Sequence, residues 1–445
     1  MSTWSFRLIL FYLLILFTQP HFRFTFLIPF HLGDLTFGGG TVLHFIDCVS
    51  KGKKIIRLSA VSKLCMLILT LSVISHYFNL NASNTAWNPL IDSIFKVCLI
   101  IMVLDAQTDS IYRASAVTAV LALGTLWWLK GGVQLARAGA TWGSGDRLMG
   151  ANVSIIQNPN DFAYLTAFFL PAYFLFFQLS AKRYLKLACL AAFFIGTYIV
   201  LQTGSRTGFL CLVTVYAFYF PFFLKRHKPF LVAGTAGIMV MLGLVSVGGA
   251  GLIPEGNLKR IAGIGNLILE IFNPEKAKVQ DEMSVVERED ADSGRIRYKK
   301  AMATLTLVLK HPLMGVGTSP RIDVFEGNYL VYGMVHTESL VAGRIMGLPG
   351  IVIYLATLYL PFRWGRDVRR MTENTWPQLA NFAYALQAQA LVILVGGAFS
   401  PSVFNFPHMT MFVVSGAIYR IALQHAAEWR PAEPDLPVNL RPAHA

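Results

Sequence analysis

The stretch AKRYLKLACLAAFFIGTYIVLQTGSRTGFLCLVTVYAFYFPFFLKRHK, residues 181–228, decides the architecture. It holds two apolar runs, 185–203 and 207–224, joined by the short polar corner GSRTG and flanked on both outer sides by lysines and arginines. Each run is long enough to cross a hydrocarbon core of ~30 Å as a helix. In lipid, a helix also satisfies its own backbone N–H and C=O groups, which no open strand can do. A short corner between two such helices turns the chain back on itself, so both basic ends face one side of a membrane.

Working outward, the same pattern recurs at 6–20, 34–50, 58–79, 88–105, 112–130, 161–180, 229–252, 346–363, 380–398 and 404–423. With the opening pair this makes twelve spans, the weakest being the run containing TFGGGTVLHFIDC. The chain of 445 residues is 55% hydrophobic and only 14% charged, a composition no ordinary soluble domain keeps throughout. The alternating ten-residue segments of an outer-membrane barrel are missing. The expected class is therefore an all-α integral membrane protein of about 12 transmembrane helices. The N-terminal run follows Arg7 and precedes TQPHFRF rather than a small-residue cleavage site, so it reads as a retained first span. The five cysteines form no CxxC pair and lie in or beside apolar segments, which argues against disulfides and zinc.

A net charge of +14 acquires meaning from its placement. Lysine and arginine resist translocation and gather in short cytoplasmic loops. The clusters KGKKIIR (51–57), AKRYLK (181–186), KRHK (225–228) and RWGRDVRR (363–370) all fall on one side when twelve spans are counted from a cytoplasmic N-terminus. This charge orients the chain in its membrane; no nucleic-acid partner is expected. The count divides the chain into a bundle of spans 1–9 (1–252), a large helical outer-face segment (253–345), spans 10–12 (346–423) and a cytoplasmic tail (424–445). The outer segment has twelve basic and twelve acidic residues, a balance that suits translocation. Its length exceeds any ordinary loop, so it reads as a small folded subdomain. Within it, 257–272 has helical periodicity suited to a membrane surface. The stretch 279–292 reads as an acidic link, and 293–312 as a helix with Ser293 at its N-cap and Pro312 at its end.

Several polar residues gather on the expected outer face. Arg206, in the GSRTG corner, either snorkels to lipid phosphates or binds an anion at a helix start rich in free N–H groups, and the second reading is preferred. Arg147, in GSGDRLMGAN, is equally readable as a solvated loop residue, with Asp146 beside it. Asn158-Pro159-Asn160-Asp161 reads as a turn capping the next span. Arg295 is expected in the first turn of the 293–312 helix, where the dipole disfavours a cation and so suggests an external anion; Arg297 and Lys299 read as surface charges. Asp290-Ala291-Asp292 matches a DxD metal pattern but reads better as a solvated turn. GVG at 315–317 is no phosphate loop and reads as close chain packing. His336, in YGMVHTESL, lies at the edge of the tenth span, and histidine is the commonest general base.

Taken in order, QNPNDFA, GSRTGFL, SGRIR…HPLMGVG and HTESLVAGRIMGLPG resemble the O-antigen ligase and polymerase family of bacterial envelope polysaccharide assembly. The resemblance covers about 150–350 by motif and the whole chain by topology. The family's last motif is matched by His336, Leu340, Gly347 and Gly350, whereas Thr337 and Ile345 depart from it; Ile345 stands at the usual acidic position, and Glu338 is the candidate to supply a carboxylate instead. The resemblance implies a bacterial inner-membrane enzyme with a periplasmic active site. It would move a glycan from undecaprenyl pyrophosphate to a sugar hydroxyl of lipid A-core. His336 would be the general base, with Arg206, Arg295 and Arg147 on the pyrophosphate, Glu338 in support, and no metal or other cofactor. An O-antigen polymerase would share the donor and use a lipid-linked repeat as acceptor. A flippase or exporter of lipid-linked sugars, from a different class, should show internal repeats and mid-membrane charges; no repeat is visible, and Lys96 is the clearest mid-span charge. Oligomeric state has no signature in the sequence.

Overall fold

The computed structural model describes residues 3–78, 89–139, 147–148, 150, 158–226, 257, 285–318, 325–326, 329–330, 335–400 and 404–428. Helices dominate: α1 (Thr3–Thr18), the short α2 (Pro20–Arg23), α3 (Leu32–Ser50), α4 (Ala60–Phe78), α5 (Pro89–Gln107), α6 (Ile111–Arg137), α7 (Pro159–Leu179), α8 (Arg183–Gln202) and α9 (Arg206–Arg226). They continue as α10 (Val285–Lys310), α11 (Glu338–Met346), α12 (Leu348–Thr372), α13 (Pro377–Gly397) and α14 (Phe406–Glu428). A two-residue pair of antiparallel strands, Phe325–Glu326 with Tyr329–Leu330, separates α10 from α11.

Each expected span coincides with a helix, except 229–252, which lies outside the described residues. Six of the described helices, α4, α6, α7, α8, α13 and α14, are both long and apolar enough to cross a membrane. Others fall short for reasons visible in their sequences. Helix α5 carries Asp92, Lys96 and Asp105, α3 carries GGG and two aspartates, and the last turns of α12 are the basic RWGRDVRR.

Packing separates inner from outer helices. Helix α7 is buried on nearly every side from Phe162 to Leu175, and α13 and α14 are buried over most of their length. Uniform apolarity around a helix is what a central position requires. Helix α7 lies against α8, α9 and α13, while α12 lies against α13 and α14. Close approach is set by small residues: a Cβ on Gly208 of α9 would collide with the Cβ of Ala163 on α7.

The local signal at the start of α7 agrees with the structure. Asn158 caps α7, its side chain accepting from the Asn160 N–H at 2.8 Å, and Pro159 takes the first helical position where its missing N–H costs nothing. Two boundaries differ from expectation. Helix α10 starts at Val285, so Ser293 is not its cap, Asp290–Asp292 is helical rather than a turn, and Arg295 lies well past the first turn. The helix runs unbroken through the acidic stretch that reads as a link. The tenth span begins at Leu348 rather than 346, because Gly347, at φ 71°, breaks the chain into α11 and α12. A Cβ there would strike the carbonyl oxygen of Pro312, and the Leu348 N–H donates to that same oxygen at 2.7 Å.

This seam fastens the HPLMGVG segment to the bundle, as the close-packing reading of its glycines expects. The Val316 N–H donates to the Arg344 carbonyl at 2.7 Å, Ser75 Oγ of α4 donates to the carbonyls of Met314 and Ile345, and His76 Nδ1 lies 2.7 Å from Thr318 Oγ1. The expected surface helix 257–272 lies outside the described residues apart from Asn257.

Candidate functional site

One end of the bundle collects the polar residues. There the start of α7, the α8–α9 corner, the start of α11, the end of α13 and the entry to α14 meet. Helix α7 has 21 residues, about 30 Å at 1.5 Å per residue, so the basic joint at 180–182 lies at the opposite end.

The corner is built around Asn160. Its Oδ1 accepts from Arg147 Nη2 at 2.7 Å and from Ser205 Oγ at 2.9 Å. Arg147 Nε also donates to the Thr203 carbonyl at 3.2 Å, and the Leu148 N–H donates to the Gln202 carbonyl at 3.1 Å. Arg147 is therefore no solvated loop residue; it ties the approach to α7 onto the α8–α9 corner. Gly204 turns this corner at φ 56°, and a Cβ there would collide with the side chain of Asn257, whose Nδ2 donates to the Gln202 carbonyl at 2.8 Å. Ser205 Oγ accepts the Gly208 N–H at 3.1 Å, as a helix N-cap does, and Arg206, half-buried, is the first residue of α9. Arg206 thus places a cation at the N-terminal, positive end of a helix.

His336 is half-buried and precedes α11. Thr337 beside it donates its hydroxyl to the Ala398 carbonyl at 3.1 Å, fixing the segment to the end of α13. Burial, with the charges of Arg297 and Lys300 on α10, pulls the imidazole down to about 4, so the ring is neutral at physiological pH. A neutral ring has a nitrogen lone pair available to accept a proton. Arg297 is also near enough to act electrostatically on Asp161 at the start of α7. The sequence reading missed this role: Arg297 and Lys300 share a helix face at three-residue spacing, a signal that was present but overlooked.

Glu338 is fully buried at the first position of α11. Its Oε2 accepts from Tyr354 Oη at 2.8 Å, Asn405 Nδ2 lies 3.5 Å from Oε1, and Tyr164 of α7 adds a further hydrogen bond. Burial pushes the carboxyl up to about 8 against the pull of the two tyrosines, with Asp161 adding to the rise. Gly397 leaves room for the pair, since a Cβ there would stand 3.0 Å from Glu338 Oε2. Behind Tyr354, its ring meets the His408 ring edge-on at 5.5 Å, and His408 Nε2 lies 3.0 Å from Thr357 Oγ1. Among the described residues no hydrogen bond joins Glu338 to His336. Ile345 is buried in an apolar setting.

Arg295 lies on α10, two residues before Arg297; its side chain is outside the description, as are those of Asp290 and Asp292. Among the described residues, no group of three or more His, Cys, Asp or Glu is arranged to hold a metal. Nothing in the sequence marked Tyr164, Tyr354 or Asn405, because a lone tyrosine in an apolar run carries no periodic signal.

A family model described as O-antigen ligase matches residues 191–355. GSRTG, SGRIR…HPLMGVG and HTESLVAGRIMGLPG lie inside that range, and QNPNDFA lies before it. No curated protein matches the chain. Glycan transfer of the ligase or polymerase kind is what such a domain is consistent with. The range similar to that family model, residues 191–355, thus takes in three of the four motifs whose order implied the resemblance.

Proposed function

We propose that the protein transfers a glycan from undecaprenyl pyrophosphate to a sugar hydroxyl of lipid A-core, at the periplasmic face of a bacterial inner membrane. The observation that carries this reading is the placement of a neutral, half-buried His336 on the helix start that faces Arg297 and Lys300 of α10. It lies at the same bundle end as the Arg206 corner.

The chemistry follows from charge. A sugar pyrophosphate is an activated donor; it needs cations on the departing pyrophosphate and a base for the incoming hydroxyl. Arg206 and Arg295 supply bidentate contacts to phosphate oxygens, and Arg147, whose Nε and Nη2 hold the corner, adds its charge as third. His336 takes the hydroxyl proton while the sugar oxygen attacks the anomeric carbon and the pyrophosphate leaves, inverting that centre. At about 4 the free ring is a weak base, and the same cations explain how it strengthens. Burial is the larger cause of the shift; a pyrophosphate bound beside Arg297 and Lys300 offsets their smaller share and raises the basicity of His336 by that much. No step requires a metal.

Orientation supports the outer-face placement. The basic clusters at 181–186 and 363–370 belong to the helix ends away from His336, the arrangement expected when those ends are cytoplasmic. Twelve spans, a folded outer segment at 253–345 and cytoplasmic termini complete this topology.

The polymerase reading shares every residue named here and differs in acceptor; one large outer segment, rather than two comparable ones, favours the ligase. Envelope glycolipids of cells lacking the protein separate the two. Ligase loss leaves bare lipid A-core and accumulates lipid-linked polymer, whereas polymerase loss leaves core carrying single repeats. Core bearing full-length polymer in such cells would refute both.

A further inference from the structure

Two arginines have buried N–H groups without an acceptor among the described residues, Arg420 and Arg344. They differ in kind. The charge of Arg420 is met by Asp105, 2.7 Å away, which also accepts from Ser62 Oγ at 2.9 Å. Arg344, on α11, retains 4% of its surface, and neither its Nε nor its Nη1 finds a partner. No carboxylate pairs with it among the described residues. Burial lowers its guanidinium to about 10, which leaves it charged at neutral pH. An unpaired buried cation is costly, and such a residue normally faces an anionic partner.

Helix α11 supplies a second cationic element. Its N-cap, Thr337, makes no side-chain cap bond, and its hydroxyl donates to the Ala398 carbonyl instead. The first N–H groups of this nine-residue helix are thus left uncapped by the side chain that would ordinarily serve them. Side chains on a helix lean toward its N-terminus, so the Arg344 guanidinium covers the turn before it, back toward that start. Glu338 does not fill the same place. It lies about 120° away around the helix and is turned into Tyr354 and Asn405.

We propose that Arg344 and the N-terminus of α11 together form an oxyanion site that takes a phosphate group, distinct from the Arg206 corner. The partner is defined by chemistry: a phosphate or pyrophosphate, free or carried by a polyprenyl lipid. Where it is carried by the lipid-linked donor, the assignment rests on the glycan-transfer reading; the anion site itself does not.

The test uses the full chain in nanodiscs, comparing wild type with Arg344→Met, with polyprenyl pyrophosphate and inorganic pyrophosphate as separate probes of affinity and thermal unfolding. Wild type should bind at least one probe, and Arg344→Met should lose at least tenfold in affinity for it. Without ligand the variant should unfold no lower than wild type, because it removes an unpaired buried charge. Response to the lipid alone assigns a headgroup site and response to inorganic pyrophosphate alone assigns a free anion; both uphold the site. Wild type binding neither probe, or Arg344→Met binding as tightly as wild type, overturns it. A variant that unfolds several degrees lower also overturns it, by showing the guanidinium to be bonded within the fold. Glycan transfer by the wild-type chain, measured alongside, separates this site from the glycan-transfer reading: binding without transfer upholds the site and overturns only that reading.

Discussion

At the scale of the residue, the two ionisable groups flanking Thr337 are driven in opposite directions by one cause, burial. His336 is held neutral and Glu338 is held protonated. Each shift has a measurable consequence. If Arg297 depresses His336, then Arg297→Gln should move the acidic limb of kcat/KM upward from its wild-type position near 4, toward the ordinary histidine value. An unmoved limb would remove Arg297 from the account. For Glu338 the folded pKa of about 8 exceeds the ordinary 4.5, so its contribution to stability is full below about 4.5 and is lost as pH rises through about 8. Thermal unfolding of wild type should therefore fall with pH over that window, and Glu338→Gln should flatten the slope. Glu338→Ala should destabilise at all these pH values, by about 1–3 kcal/mol, because it leaves the buried Tyr354 hydroxyl without its acceptor. The sequence marked His336 and Glu338 as a pair at a membrane edge. That Glu338 faces away from the histidine, into tyrosines of α7 and α12, depended on tertiary packing that no spacing rule encodes.

At the scale of the element, the α8–α9 corner is held by one glycine and one asparagine. Gly204→Ala asks a left-handed backbone of an L residue, at ~1–2 kcal/mol, and adds a collision with Asn257. The variant should unfold earlier and lose activity together with stability. Asn160→Ala should release Arg147 and Ser205 at once, costing more activity than stability if the corner positions Arg206; equal losses would reduce Asn160 to a structural tie. The apolar runs made the helices themselves legible, down to the Asn158-Pro159 cap. The start of α10 was not, because an acidic stretch reads equally as a solvated link and as a helix N-terminus until the structure extends the helix through it. Gly347 was visible as a motif residue; that it divides α11 from α12 follows from its left-handed backbone against the Pro312 carbonyl.

At the scale of the whole molecule, the bundle separates charge from chemistry, with basic joints at one end and Arg206, His336 and Glu338 at the other. Single-cysteine labelling from outside the cell's inner membrane, in a background without the five native cysteines, should mark the His336 end and spare 51–57 and 363–370. The reverse pattern would invert the proposed topology. The most direct measurement is glycan transfer by the purified chain in nanodiscs, with polyprenyl-pyrophosphate-linked polysaccharide as donor, lipid A-core as acceptor and EDTA present. Wild type should join the two, and His336→Ala should lose at least a hundredfold in rate, in keeping with the usual worth of a general base. Transfer by His336→Ala at the wild-type rate would contradict the account.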